Sequence, residues 1–581
     1  MDIFSVFTLL GGLAFFLFGM NVMSSGLEQL AGGKLEQLLR KMTSNRIKSL
    51  LLGVGITAVI QSSSAVTVML VGLVNSGIMQ LGQSIGVIMG SNIGTTVTAW
   101  LISLTGIEGD SFWIKMLKPS SFAPLLALLG IGLIMMGKSN KKKSIGSILL
   151  GFAVLMNGME LMSGAVEPLK DSPEFAKVFT LFSNPLLGVL VGAVFTAIIQ
   201  SSSASVGILQ SLTTTGAITF GNAIPIIMGQ NIGTCVTALI SSVGVNRNAK
   251  RVSVVHISFN LIGTVVWLAL FYLVHLIVNF SFIDQPINEA WIAIIHTIFN
   301  VLTTLLLIPF TKLLEKLAYL VVKEKGKQKE EVSFLDERLL STPSVAVSEC
   351  NAKTVEMGNV AFATLEESFL LQSDYTPDRC AAILADEDKL DHYEDKLGSF
   401  LVKVSTKEIS DADSRQVSRM LHTIGDFERL GDHAVNLLKV AEEMHEKQIS
   451  FSDEAIREIT ILQGAIREIL ARTKSAYDAN DVALAARVEP LEQVIDQLIA
   501  DIKNRHIARL KNGYCTIELG FVLSDLLTNY ERISDHCSNI AVAVIEASKN
   551  DFDSHEYLSE VKRSDADFAS EYARCREAYR L

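Results

Sequence analysis

The sequence predicts an all-α protein in two parts: inverted-repeat transmembrane helices with two re-entrant hairpins, then a soluble helical half. Three observations carry this. Apolar runs rich in Gly, Ser and Thr fill the chain to about residue 320, and Asp, Glu, Lys and Arg at helical spacing dominate beyond it. The string Gln-Ser-Ser-Ser occurs at residues 61–64 and again at 200–203, an offset of 139, each time deep in an apolar stretch. The same offset lays residues 12–99 on 151–238 without a gap, and Asn92-Ile93-Gly94-Thr95 falls on Asn231-Ile232-Gly233-Thr234. Two copies of one unit, each holding an uncharged polar motif at membrane depth, is a plan by which secondary transporters build a site between repeats.

Bulk properties narrow the class. A chain of 581 residues exceeds one core and predicts at least two domains. The net charge of −11 argues against nucleic acid as a partner. Six cysteines are scattered with no Cys-x-x-Cys pair and read as reduced thiols. Residues 1–23 are apolar without a basic leader region or an Ala-x-Ala site, so they read as a retained first membrane helix.

A membrane helix needs about 20 mostly apolar residues. Segments 3–23, 82–105, 121–137, 144–163, 222–244, 252–280 and 290–310 meet that requirement. Segments 48–77 and 187–216 do not suit a single span, because each has its polar tetrapeptide between two half-length apolar arms. They are expected to be hairpins that enter and leave on one side, backbone that is tolerated only where buried in protein or lining a polar cavity. Three crossings then separate the two copies, which makes the repeats inverted. The basic clusters agree with this count: Lys34, Arg40, Lys41, Arg46 and Lys48; Lys138 and Lys141, Lys142 and Lys143; Arg247, Lys250 and Arg251; and Lys312, Lys316, Lys323 and Lys325 all fall on one side, which the positive-inside rule makes cytoplasmic. The N-terminus is expected outside and the soluble half inside. Residues 24–44 space Leu27, Leu30, Leu35, Leu38 and Leu39 among polar residues and are expected to form an interfacial amphipathic helix.

No charged residue occurs in 49–107 or 178–246, so a buried proton relay in these segments is excluded. What remains is hydroxyls, amides and freed backbone groups. The second arm of each hairpin starts near Ser63-Ser64 or Ser202-Ser203, and its first-turn N–H groups point at the tip with the positive end of the helix dipole. An oxyanion suits such a tip. The carbonyls ending the first arm suit a hard cation such as sodium. A multiply charged anion entering a low-dielectric site needs a counter-charge, and without Lys or Arg, co-bound cations supply it. The segments around Asn92 to Thr98 and Asn231 to Thr237 are expected to unwind locally and complete the shells. His256-x-x-Phe259-Asn260 and His296-x-x-Phe299-Asn300 share one pattern and read as packing residues.

Together, the two serine strings, the two Asn-Ile-Gly-Thr segments and the His-x-x-Phe-Asn helices resemble the type II sodium–phosphate cotransporter family over most of residues 1–310. The resemblance implies an inverted-repeat carrier coupling phosphate to sodium. It implies that Gln61, Ser62, Ser63, Ser64, Gln200, Ser201, Ser202 and Ser203 hold phosphate. It also implies that Gln61, Ser62, Asn92, Thr95, Thr98, Gln200, Ser201, Asn231, Thr234 and Thr237 hold sodium. Electrogenic members add an aspartate near the site; neither uncharged core has one, which leaves the stoichiometry open.

Residues 323–344, with Gly326 and Pro343, read as a linker, and 345–575 as long amphipathic helices. A second repeat appears here. Glu428-Arg429-x-x-Asp432-His433-x-x-Asn436 matches Glu531-Arg532-x-x-Asp535-His536-x-x-Asn539, and Glu387 with Asp391 matches Glu492 with Asp496. Acids at i and i+4 share a helix face and repel; a bound cation would turn that cost into chelation, with Asn and His adding ligands. These motifs resemble the PhoU family of phosphate-uptake regulators over about 345–560. That resemblance implies a pair of three-helix bundles with metal-binding faces, with Glu387, Asp391, Glu428, Asp432, Glu492, Asp496, Glu531 and Asp535 as ligands to iron, manganese or zinc.

The resulting expectation is a sodium:phosphate symporter of the cell's inner (plasma) membrane, not an enzyme, with a membrane domain over 1–322 and a regulatory domain over 345–575. Its expected partners are inorganic phosphate, sodium and the lipid bilayer, a homodimer is allowed, and no nucleic acid is involved. The alternatives are a non-transporting phosphate sensor, a carrier of another small oxyanion and, lowest, a metal-dependent phosphatase, which lacks an evident nucleophile or phosphate-holding Arg pocket.

Overall fold

The computed structural model describes residues 3–31, 45–106, 118–137, 139–171, 184–323, 334–372, 374–548 and 566–581. Over these residues the chain is helical, apart from one isolated antiparallel bridge between Thr219 and Pro286. It divides into two units, Met1–Ala346 with Glu408–Ser410 and Val347–Lys407 with Asp411–Leu581.

In the first unit, six helices among the described residues are long and apolar enough to cross a membrane: Ile3–Leu30, Leu81–Gly106, Asn140–Lys170, Phe220–Ser241, Arg247–Val278 and Glu289–Val321. The elements in chain order are α1 (Ile3–Ala31), α2 (Arg46–Ile60), α3 (Ser63–Asn75), α4 (Leu81–Ser103), α5 (Pro119–Met136) and α6 (Asn140–Val166), then α7 (Pro185–Ile199), α8 (Ser202–Thr213), α9 (Phe220–Ser241), α10 (Arg247–Val278), α11 (Glu289–Leu307) and α12 (Thr311–Val321). Two expectations change. Segment 121–137 lies in α5, whose 18 residues give about 27 Å at 1.5 Å each, shorter than the other six. Residues 24–31 do not start an interfacial helix but continue α1, because Leu27 joins Met20 and Met23 in one apolar cluster; residues 32–44, with Lys34, Arg40 and Lys41, lie outside the described residues, as do Lys138 and Lys325.

Close backbone approach sets how the two copies meet. Gly12 faces Gly158 and Met162, Gly19 faces Gly151 and Leu155, and Gly26 faces Ser144 and Ile148, so α1 and α6 run antiparallel. A β-carbon added at Gly19 would lie 2.3 Å from the Leu155 amide nitrogen, and one at Gly158 would lie 2.4 Å from that of Phe16. Small residues at such crossings let backbones touch where lipid offers no hydrophobic drive. Gly12 corresponds to Gly151, and Gly19 to Gly158, under the repeat offset, so the contact is symmetric: each copy lends the same pair of glycines.

Part of the expected linker is built into this unit. Residues Glu337–Ser341 form a short 3-10 helix whose Leu339 is fully buried against Gly72. Asp336 accepts from the Asn75 amide at 2.5 Å, and Arg338 donates to the carbonyls of Ser241 and Val243, both at 2.7 Å. These contacts satisfy carbonyls left open at the C-terminal end of α9.

In the second unit the long helices are α13 (Pro343–Leu371), α14 (Pro377–Ser405) and α15 (Asp411–Lys447), then α16 (Asp453–Ala479), the single turn α17 (Val482–Ala485), α18 (Val488–Lys511), α19 (Ile517–Ser548) and α20 (Ala566–Ala578). α15 and α19 pack along each other through a polar seam. His433 Nδ1 lies 2.8 Å from Asn529 Oδ1, His536 Nδ1 lies 2.8 Å from Asp426 Oδ1, and the two rings are 5.5 Å apart. Above and below the seam, Phe427, Leu430, Leu437, Tyr530, Ile533 and Ile540 are fully buried.

Candidate functional site

Each serine string sits where one helix stops and the next begins. Gln61 and Gln200 end α2 and α7 in the left-handed region, at φ 57° and 56°. That conformation costs a side-chain-bearing residue about 1–2 kcal/mol. Its recurrence at two repeat-equivalent positions makes it part of the design of the turn. Ser62 and Ser201 follow in extended conformation and cap α3 and α8, their hydroxyls accepting from Ala65 N–H at 3.1 Å and Ala204 N–H at 3.2 Å. The first backbone bonds of the new helices run from Val66 N–H to the Ser62 carbonyl and from Ser205 N–H to the Ser201 carbonyl. The amides of Ser63 and Ser64, and of Ser202 and Ser203, lie upstream of those bonds, at the positive end of the helix.

The second arms then cross between copies: α3 packs on α9, and α8 on α4. Ser64 Oγ comes within 3.5 Å of Thr237 Oγ1, which brings the serine string of one copy to the polar helix segment of the other. Thr98 donates to Gln61 Oε1 at 2.8 Å, while the Gln61 amide nitrogen donates to the Ala58 carbonyl. The copies differ here: Gln61 is 5% exposed, whereas Gln200 is exposed. On the first copy, α1 also reaches the tip, where Ser24 Oγ donates to the Ile60 carbonyl.

The expected unwinding does not occur. α4 and α9 run unbroken through Asn92–Thr98 and Asn231–Thr237. Their polar side chains bond back to their own helices: Asn92 to the Ile88 carbonyl, Thr95 to Ser91, Asn231 to Ile227 and Thr234 to Gln230, at 2.8–3.0 Å. Gly90 and Gly229 face the backbone of Leu50 and Val189 in the first arms, so the glycines serve close approach to the hairpins. The oxygen of Asn231 faces His296 Nε2 at 3.3 Å, so this histidine is a direct neighbour of the polar segment of α9.

Other residues join that the motif reading did not select. Thr57 Oγ1 donates to Ser91 Oγ and Thr196 Oγ1 to Ser205 Oγ, both at 2.8 Å, and Gln230 donates to the Ser205 carbonyl at 3.0 Å. Thr57 and Thr196 are repeat equivalents, and that identity was the available signal.

The acids of the second unit meet in two places. Glu428 on α15 is pushed up to about 7 by burial, then by Asp432, with Asp391 and Glu394 adding to it. Glu387 is raised by burial, then by Asp391, Asp388 and Asp432, so α14 and α15 turn their acids to each other. On α18 and α19, Asp496 is raised by burial, then by Asp535, Glu531 and Glu489, and is hydrogen-bonded to Glu492; Asp535 is raised by burial and by Glu531. Among the described residues no three His, Cys, Asp or Glu side chains converge closely enough to hold a metal ion. Arg429 pairs with Asp432 at 3.0 Å, Arg532 with Asp535 at 3.2 Å and Lys503 with Glu531 at 3.4 Å. His433 and His536, expected as added ligands, are engaged in the seam between α15 and α19.

An uncharged polar motif built twice between apolar helices is the plan of a secondary transporter. Residues 15–164 and 172–285 match the family described as Na+/Pi-cotransporter, and 354–441 and 459–544 match the PhoU domain. The "Putative inorganic phosphate export protein YjbB" of Salmonella typhimurium is 23% identical over 556 residues, covering 94% of this chain and 99% of the relative. The "Uncharacterized protein YqeW" of Bacillus subtilis is 31% identical over 318 residues, 54% of this chain and 97% of that one. The sodium-dependent phosphate transport protein 2A of Rattus norvegicus is 40% identical over 99 residues, 16% of this chain and 15% of its own length. This chain belongs to the Na+/Pi-cotransporter family, and PhoU domains follow its membrane half.

Proposed function

We propose that the chain is a sodium-coupled carrier of inorganic phosphate, with phosphate held at the hairpin tips and sodium beside it. The observation that carries this is the pair of left-handed breaks at Gln61 and Gln200, each followed by a serine-capped helix start. The amides and hydroxyls of Ser63, Ser64, Ser202 and Ser203 give an oxyanion its donors. Gln61, Ser62, Asn92, Thr95 and Thr98, with Gln200, Ser201, Asn231, Thr234 and Thr237, give sodium oxygen ligands. Bringing a phosphate dianion out of water without a positive side chain is too costly alone; sodium ions bound beside it remove the penalty, so neither ion enters without the other.

The hairpins are re-entrant from opposite faces, the N-terminus is outside and the second unit is cytoplasmic in the plasma membrane. The antiparallel pairing of α1 with α6 supports the inversion of the repeats, and the basic clusters carry the sidedness. Burial of Gln61 beside exposure of Gln200 fits a carrier with one copy's tip closed over and the other open. Labelled-phosphate uptake into proteoliposomes tests the coupling: an inward sodium gradient drives uptake, and replacing sodium with choline leaves only leak.

The membrane domain spans about 1–322 and a regulatory domain about 345–575. Its carboxylates, Glu387, Asp391, Glu428 and Asp432 on one face and Glu492, Asp496, Glu531 and Asp535 on the other, are the oxygen donors that manganese, iron or zinc would have to draw together, since among the described residues no three of them converge. A bound cation would neutralise repulsion that now raises these carboxyls.

Net export is the second reading. It is favoured by the Salmonella relative, named as a phosphate export protein, which aligns with 94% of this chain. Phosphate-loaded vesicles with the sodium gradient set in either direction separate net uptake from net release.

A further inference from the structure

The second unit holds a polar cavity of about 310 Å³ away from both acidic faces. It is lined by Asn351 of α13, Arg415, Gln416 and Arg419 of α15, and Tyr477 and Asn480 at the end of α16. Arg419 is 6% exposed, yet among the described residues it forms no ion pair. Its guanidinium donates to the side-chain oxygens of Asn480 and Asn351, the latter at 2.7 Å, and lies over the Tyr477 ring at 4.7 Å. Its Nε is buried without an acceptor. A buried charge met only by neutral groups is costly to fold. Arg415, one turn away on the same wall and half-buried, has no ion pair or side-chain hydrogen bond among the described residues. One carboxylate lines the cavity, that of Asp478, and it is held by Lys474 at 2.7 Å.

From this geometry we propose that the cavity is a binding site for a phosphoryl anion, held by Arg415 and Arg419 and oriented by Asn351, Gln416 and Asn480. Two guanidiniums in one pocket match phosphate oxygens in charge and in fork geometry. The anion supplies the counter-charge Arg419 lacks, so occupancy ties α13, α15 and α16 together. The regulatory meaning rests on the carrier reading above: a cytoplasmic phosphoryl anion bound here reports phosphate status to the unit attached to the carrier. The binding claim itself does not depend on transport.

Two sources carry this chemistry, free inorganic phosphate and a phosphoester such as a nucleotide. The test is hydrogen–deuterium exchange on the full-length protein in detergent, reading peptides that cover 409–421 and 474–484. The probes are inorganic phosphate, adenosine triphosphate and, as a control, chloride. Protection of both peptides by phosphate supports the site with free phosphate as ligand; protection by the nucleotide alone supports it with a phosphoester. Arg415→Gln should weaken the protecting anion about tenfold or more, as expected for loss of a charge-assisted bond. Asn480→Asp, which gives Arg419 an internal carboxylate and keeps a residue tolerant of the left-handed backbone at φ 51°, should abolish protection while raising the thermal midpoint. No protection by either probe at millimolar concentration, or equal protection in both folded variants, overturns the proposal. Proteoliposome flux is scored separately, so failure of the carrier reading and failure of this site are told apart.

Discussion

Gln61 and Gln200 share one left-handed backbone conformation and one structural place, yet only Gln61 is buried, with its side-chain oxygen accepting from Thr98 at 2.8 Å. Gln61→Asn keeps a residue that tolerates φ near 57° but shortens the amide away from Thr98. The variant should fold with an unchanged thermal midpoint and need severalfold more sodium for half-maximal uptake. An unchanged sodium requirement removes Gln61 from the sodium shell.

Neighbouring serines should separate a stability cost from a phosphate cost. Ser62 and Ser201 spend their hydroxyls on capping, so Ser62→Ala or Ser201→Ala should cost about 1 kcal/mol of stability each. Ser63→Ala and Ser202→Ala leave the caps intact and should instead raise the phosphate concentration for half-maximal uptake about tenfold or more. Thermal unfolding and uptake measured on all four variants check the division.

The crossing of α1 and α6 is sensitive to one methyl group. Gly19→Leu or Gly151→Leu forces side chains onto backbone already in contact and should destabilise the protein by about 1–3 kcal/mol or more. Gly11→Leu and Gly132→Leu, where an added β-carbon meets nothing within 4 Å, should be tolerated. Monodisperse yield in detergent compares the two sets directly.

Glu428 gives the cytoplasmic unit a pH dependence of known sign. Its carboxyl is raised from 4.5 to about 7 in the folded chain, so it holds a proton longer folded than unfolded. The stability it contributes is complete below about 4.5 and is lost as pH rises through about 7. Glu428→Gln should therefore gain stability relative to wild type as pH goes from about 5 to about 8, read by hydrogen exchange in α15. A difference that shrinks over this range contradicts the burial and repulsion assigned to Glu428.

The two helix breaks were legible because membrane depth makes polarity informative. Gln61-Ser62-Ser63-Ser64 interrupts an apolar run, and a break there has few physical outcomes. The repeat offset then located the second tip and the glycine pairs of α1 and α6. Local uncharged polarity misled at Asn92 to Thr98, where Asn and Thr bond to carbonyls one turn back and leave α4 unbroken. The docking of Arg338 was illegible because it depends on carbonyls of Ser241 and Val243, about a hundred positions away, and that of Asp336 because it depends on the still more distant Asn75 amide. His433 and His536 sit beside the acids in sequence but turn to the other helix, a direction set by packing alone.

Sodium-driven uptake of labelled phosphate into proteoliposomes, run side by side for the native chain, Ser63→Ala and Ser202→Ala, bears most directly on the two tips. The account predicts concentrative uptake for the native chain that collapses without sodium, and severalfold lower uptake in either folded variant at the phosphate level that half-saturates the native one. Native-like, sodium-dependent uptake by both variants would contradict it.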